Sequence, residues 1–500
     1  MSRLSMKLGV LNMLCFLLLT SSNNLTLASP YFAEGFQTVK SSQDGPPAQI
    51  LIIGNNDFTV QGWPGNGTNG DPYRIDDLVI GTTETAIRVI NVTCHFIIFN
   101  CTFYSSGDIW YGQSIEFYNV TNGRVSQCRF NAIHLGVWVE NSYDCVISDS
   151  LLERTNIPIV LTHCQDSTVF NNTIRGNDLY LQNCTNCVVE RNWQIGLSNE
   201  YPTHGFYFSE SRGCIVRNNT LADDDYGVWF EDMESCVFED NQMFNCGLYF
   251  AAYELQHYNI ETHNNFVNGK PLGFFNGRGE IALDGSQYGQ MVLVGCSGTL
   301  VKNGQFDNTT AGAIVAYSSG CTLTNITTSS SVYGIKFLEA TDCNVTSSTV
   351  SENLEGIYCE VISNMNVENN TVVQNIQTGI YLGVGSQNRV VRNLVTDNAG
   401  VGIVVEGQQN QIYYNTLGKN GQNAYDGGAN NQWDDGNSIG NFWDDMTPGE
   451  VYVIPGSAGS IDRFPNGTAP WSPLPLTNIL VASGISVILV GALVLYLRRG

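Results

Sequence analysis

Three consecutive carboxylates, Asp223, Asp224 and Asp225, stand just before Trp229 and Glu231, and His204 lies a little upstream. Acid–base chemistry on a glycan needs two acids facing one another across a cleft, one of them with a shifted pKa. Were the chain an enzyme, Asp223, Asp224, Asp225, Glu231 and His204 would form its centre. An acidic run in a turn is more often a solvated edge or a perch for a cation. No nucleophile motif or phosphate-binding loop accompanies it, so no catalytic residue is assigned.

A second set of residues suits binding. Trp138, Tyr180, Tyr207, Trp229 and Tyr249 each fall between two apolar residues, and Glu140 and Glu231 follow two residues after the tryptophans. Alternation of this kind turns the apolar flanks inward and the ring outward. Rings rising along one outer face, with carboxylates beside them, can stack against and hydrogen-bond a glycan. Aromatic residues also favour strands for their own sake, which is the plainer explanation of the stripe.

These residues recur because the text around them recurs. Gly205 and Gly227 each open a line with an apolar pair two apart (Phe206 and Phe208, then Val228 and Phe230). A cysteine (Cys214, Cys236), an apolar residue (Val216, Phe238), an asparagine (Asn219, Asn241) and a last apolar residue (Leu221, Met243) complete it. The step of about 22 residues continues through Ile115, Val137 and Ile159, and through Gly312, Gly334, Gly356, Gly379 and Gly402. Three strands of two or three residues cannot bury their own apolar face; stacked on copies of themselves they can. The expected fold is an all-β parallel β-helix.

Fifteen cysteines would suggest disulfides in a secreted chain. Cys145, Cys214, Cys236, Cys321 and Cys343, however, occupy one position of the repeat, and Cys187 shares their context. Stacked at about 4.8 Å per coil, their β-carbons lie beyond the bridging range of about 3.5–4.5 Å. A ladder of buried thiols is expected; a track for a soft metal is the alternative.

The ends read differently. Residues 1–28 have the basic start, apolar middle and small-residue site of a secretory signal. Residues 29–84 are expected to lead in and cap the first coil. Repeats fill 85–424, with an irregular coil or insertion about 251–311, and a C-terminal cap spans 425–465. A Pro-rich stalk (466–476) leads to an uncharged transmembrane helix (477–497) and a cytoplasmic tail (498–500) carrying Arg498 and Arg499. The expected location is the cell membrane, single-pass, with the β-helix outside. A net charge of −24 counts against nucleic acid as a partner.

The opening Trp63–Thr68 and Asp71–Ile75 text, the segment Asn268-Gly269-Lys270-Pro271-Leu272 and the closing text from Gly440 to Pro465 resemble the NosD-like right-handed β-helix proteins of the pectin-lyase-like superfamily. The resemblance covers roughly residues 50–465 and implies right-handed winding. It leaves function open, because such proteins include copper-site maturation proteins, sugar-acting enzymes and anchored surface proteins. The expected role is a membrane-anchored, non-catalytic binding or adhesion module. Its glycan-binding face would be Trp138, Tyr180, Tyr207, Trp229, Tyr249, Glu140 and Glu231, and its partner a carbohydrate or surface glycoprotein. Alternatives are a polysaccharide lyase, hydrolase or epimerase, and a copper-handling protein. No metal ligand or cofactor is assigned; neither calcium nor copper is supported by the sequence.

Overall fold

The computed structural model describes residues 49–466, apart from 83, 106–112, 198–202, 252–253 and 447–449. The expected signal segment, the stalk beyond Asn466, the membrane helix and the tail lie outside the described residues. Among the described residues, no helix is long and apolar enough to cross a membrane.

The chain winds as a right-handed parallel β-solenoid of about 16 turns. Each coil supplies three short strands, for example His204–Ser209, Ile215–Arg217 and Thr220–Ala222, then Tyr226–Glu231, Val237–Glu239 and Gln242–Phe244. Parallel pairing puts Phe208, Phe230 and Phe250 in register. Their ring centroids are 5.5 and 5.7 Å apart inside the core, as the spacing predicts.

The asparagines at the corners divide two tasks. Asn218 and Asp240 take left-handed φ values of 55° and 56°, which short polar side chains tolerate. The next residues, Asn219 and Asn241, turn inward and are fully buried. Asn172, Asn192, Asn219, Asn241 and Asn265 form a ladder in which each side-chain oxygen accepts from the backbone N–H of the rung before it. Buried backbone donors at a bend need such acceptors.

The first coil begins earlier than residue 85. Strand Ile50–Ile53 already pairs with Thr85–Val92, and Tyr73–Asp76 and Val79–Thr82 complete that coil. A short helix, Asn56–Val60, is inserted between its first two strands and buries Phe58 against the Tyr73 ring at 4.8 Å.

The repeats do not form one continuous stack. Phe266–Val267 pairs antiparallel with Lys270–Asn276 across a two-residue turn, Asn268 (φ 49°) and Gly269 (φ 77°). Asn-Gly is the pair that the tight hairpin turn favours, because both residues need positive φ. Beyond it the strands run the opposite way and the inward face also changes. Met291, Leu293, Ala313 and Val315 belong to a second core, whereas Val292, Val294, Ile314 and Ala316 pack against the first. Reversing the strand direction and exchanging the inner face together keep the winding right-handed. The irregular coil expected about 251–311 is therefore a crossover between two cores.

Strands Gln290–Val294 and Ala311–Ala316 are buried throughout, on both faces. Side chains from this second stack also cover the last first-position strand of the first, Leu248–Phe250. The Gln290 amide donates to Leu248 O (2.7 Å) and accepts from Leu248 N (2.9 Å). Thr310 Oγ1 accepts from Gly247 N (2.9 Å) and donates to Gly247 O (3.1 Å). An open strand edge is thereby paired rather than left as a template for association. At the other end of the second core, Trp433 and Trp443 are buried, and their indole N–H groups donate to Asp426 (2.8 Å) and Asp462 (2.9 Å).

Candidate functional site

Outward positions of the first strands form a column in the order Glu116, Trp138, Val160, Tyr180, Tyr207, Trp229, Tyr249. Tyr180 stacks on Tyr207 at 4.9 Å and 14°, and Tyr207 on Trp229 at 5.8 Å and 24°. Trp229 and Tyr249 lie 4.6 Å apart with a 49° tilt. Stacking along the axis occupies the ring faces, so Tyr180 and Tyr207 turn their edges toward solvent, whereas Trp229 Nε1 is buried. The sequence reading had a glycan lying on the faces. That geometry is not available from Tyr180 to Tyr249, where each ring is its neighbour's partner; Trp138 stands apart from them, between Glu116 and Val160.

Trp138, Tyr180, Tyr207 and Trp229 are half-buried, with Trp138 Nε1 3.5 Å from Thr162 Oγ1. Tyr249 departs from the outward reading and is 4 % exposed. The second stack covers it: Tyr333 stacks on it at 5.7 Å, and Lys336 donates to its hydroxyl at 2.5 Å. Tyr226, Tyr333 and Lys336 were not singled out in the sequence. Lys336 could have been, since it lies between the inward Ile335 and Phe337 and so faces outward.

Glu140 and Glu231 share one row, but Thr162, Gln182 and Ser209 separate them. Four coil steps amount to about 19 Å, so the two carboxylates do not act on one bond. Glu231 accepts a hydrogen bond from the Tyr207 hydroxyl. Burial pushes the Glu231 carboxyl up, and burial followed by that hydrogen bond pushes the Tyr207 phenol up. Tyr180 is pushed up to about 12, chiefly by burial. The row therefore holds neutral phenols beside a carboxyl of raised pKa.

The three aspartates point three ways and do not form a cluster. Asp223 is exposed and accepts from Asn245 Nδ2 (2.8 Å). Asp225 accepts from Thr203 N (2.8 Å) one coil away, and its own N–H donates to Thr203 Oγ1 (3.1 Å), tying adjacent coils together. Asp224 points inward and is 2 % exposed; burial, then the charge of Asp178, pushes its carboxyl well above the ordinary range. His204 stacks on Tyr226 (5.1 Å), meets Trp229 edge-on (5.1 Å) and has Nδ1 3.4 Å from Asp178 Oδ1. Of the candidate catalytic set, the structure thus gathers His204 and Glu231 around Tyr207 and Trp229, and disperses the aspartates.

The thiols behave as interior filling. Cys145, Cys187, Cys214, Cys236, Cys321 and Cys343 are buried and free. Burial pushes the thiols of Cys145, Cys246 and Cys359 up. Cys184 and Cys187 occupy different columns: Cys184 N donates to Ser211 Oγ, whereas Cys187 Sγ reaches Cys164 O. Among the described residues, no group of three or more His, Cys, Asp and Glu side chains is arranged to hold a metal ion.

Comparison with known proteins adds to this geometry. Residues 278–448 match the family described as periplasmic copper-binding protein (NosD), and residues 85–267 match the right-handed β-helix region. No curated protein matches the chain. Among solved structures, DFA-IIIase from Arthrobacter chlorophenolicus A6 is 13% identical, over 52% of this chain and 66% of that one (TM-score 0.30). PfbA, a surface adhesin of Streptococcus pneumoniae, is 11% identical over 83% and 100% (TM-score 0.30). The periplasmic alginate epimerase AlgG is 10% identical over 82% and 83% (TM-score 0.24). Likenesses at these scores carry no argument about activity. The two matches cover different stretches of the chain, the first similar to the NosD family and the second to the right-handed β-helix region, and both fall within the coils of the parallel β-helix described above.

Proposed function

We propose that this chain is an extracellular, membrane-anchored surface protein that binds glycans without turning them over. Its recognition face is the edge of the ladder at Tyr180, Tyr207, Trp229 and Glu231. The observation that carries this reading is the Tyr207–Glu231 hydrogen bond, set beside half-exposed ring edges on one outer face. A carboxyl and phenols spaced one coil apart match the hydroxyl pairs of successive sugar units, and recognition runs through hydrogen bonds at ring edges. Trp138, with Glu116 and Val160 as column neighbours, extends the face toward the first coils. The Asn56–Val60 helix and the Trp433/Trp443 segment serve as the two caps. The apolar run at 477–497 serves as the anchor. Exposed turn asparagines Asn171, Asn218 and Asn369 are the sequons that a glycosylating host would modify.

A second reading, a polysaccharide-active enzyme, is favoured by the His204–Asp178 pair beside Tyr207 and Glu231. Incubating the full-length protein with a panel of acidic and neutral glycans separates the two. Binding without product is expected, weakened about tenfold or more by Tyr207→Phe or Glu231→Gln, since each removes a hydrogen bond to a charged or polar group. Unchanged affinity in both variants would exclude this face. Product that disappears in Glu231→Gln and His204→Gln would establish the enzyme instead.

A further inference from the structure

The centre of the third strand is apolar in coil after coil: Phe103, Phe130, Leu152, Ile174, then Leu221, Met243 and Val267, all in register. Gln194 interrupts the column between Ile174 and Leu221. It is fully buried; its Nε2 donates to Gly176 O at 2.8 Å, while its Oε1 receives no donor. An amide in a core column has to be satisfied or it costs stability.

The oxygens around it share the same want. Asp224, 2 % exposed, receives no hydrogen bond of ordinary geometry at either carboxyl oxygen among the described residues, and the Gln194 amide is a side-chain donor that acts on it. Asn177 Oδ1 and Asp178 Oδ1 are buried without hydrogen bonds, although His204 Nδ1 approaches the latter to 3.4 Å. The charges of Asp178, Asp225 and Asp223 and the amide of Gln194 act on the Asp224 carboxyl, and Gln194 Nε2 lies 3.4 Å from the Asn177 carbonyl oxygen. The backbone is cleared for it. A β-carbon at Gly196 would lie 2.6 Å from Asp224 Oδ1, and one at Gly205 2.7 Å from Oδ2.

Five buried oxygens from two carboxyl groups and two amides lack an ordinary hydrogen bond, with the Gln194 amide and His204 Nδ1 as the donors that approach the carboxyls. Oxygen-only sets of this kind suit hard divalent cations, and a mixed carboxylate–amide set suits calcium over softer metals. We propose that Asp178, Asp224, Gln194 and Asn177 form a calcium site here. It lies beneath the face that carries His204, and it stands independently of the glycan reading.

Calorimetric titration of the full-length protein with CaCl2, paired with thermal melts, tests the site. One calcium per chain is expected. Its affinity should fall in the range of extracellular calcium modules, about 10⁻⁴–10⁻³ M, and the melting temperature should rise by roughly 2–5 °C near saturation. Asp224→Asn and Gln194→Leu should each abolish both signals. Gln194→Leu also restores the apolar column, so it should fold and decides the matter should Asp224→Asn fail to fold. Absence of heat and of any melting shift up to about 10 mM calcium would overturn the site. So would an undiminished shift in Gln194→Leu. An equal response to magnesium would overturn the calcium assignment, because magnesium dehydrates reluctantly.

Discussion

Asn219→Leu is expected to destabilise the folded chain by about 3–6 kcal/mol, although it replaces a buried side chain by one of similar size. Asn219 Oδ1 accepts from both the backbone N–H (2.9 Å) and the side-chain Nδ2 (3.1 Å) of Asn192. Its own Nδ2 donates to Val189 O (2.9 Å) and to Asn241 Oδ1 (3.0 Å). Leucine satisfies none of these, and Asn192, 1 % exposed, has no water to turn to. Each orphaned buried group costs about 1–3 kcal/mol, and at least two are created. Because solenoid contacts are between nearest neighbours, the coils of Asn192 and Asn241 should lose protection first. Denaturant melts measure the total, and a loss below about 1 kcal/mol would mean that the ladder is ornamental to stability.

Lys336→Ala should cost about 2–4 kcal/mol, from a desolvated cation–π contact and the space left behind. The Lys336 ammonium is 4.8, 4.7 and 5.4 Å from the ring centroids of Tyr249, Tyr333 and Tyr358, and 3.4 Å from Glu360 Oε2. Tyr249 comes from the first stack and the others from the second, so this cation sits across their junction. At 5 % exposure its stem fills space as well as carrying charge. Lys336→Met keeps the stem and removes the charge, and should recover about half of the loss. Urea melts of the two variants separate packing from charge. A Lys336→Ala protein within about 0.5 kcal/mol of the parent would mean that the cage does not hold the stacks together.

Alternation carried the coil far. Phe206, Phe208, Val228 and Phe230 could be assigned inward because a strand has only two faces, and a repeat of about 22 residues fixes which rows meet. The cysteine column was legible for the same reason, down to its replacement by Met365 and Asn388. Asparagine was read only as a turn marker. The doublets Asn171-Asn172 and Asn218-Asn219 hold the rest of the signal: the first residue takes the left-handed bend and the second becomes a rung. The lead-in was misjudged because Pro64, Gly65 and Gly67 mask a coil that an inserted turn of helix interrupts.

The exchange of cores was harder to see, because it depends on which of two faces is inside. Still, Gln290–Val294 and Ala311–Ala316 drop the alternation found elsewhere and read as unbroken apolar runs. That is the pattern of strands covered on both sides. Tyr249 followed the rule for an outward residue and was buried by a part of the chain that period alone could not place beside it. The dispersal of Asp223, Asp224 and Asp225 has the same origin. Three neighbours around a corner point in three directions, so adjacency in sequence is no guide to adjacency of carboxylates.

Amide hydrogen exchange on the full-length protein reads the junction of the two stacks directly. The amides of Val292, Leu293, Ile314 and Val315 lie in strands paired on both edges and covered on both faces by separate cores. They are predicted to exchange only through global unfolding, more slowly than those of Tyr381 and Leu382, whose strand has one half-buried outer face. Exchange of Val292 and Ile314 as fast as that of Tyr381 would contradict two stacks with a shared pair of strands and would restore a single column of coils.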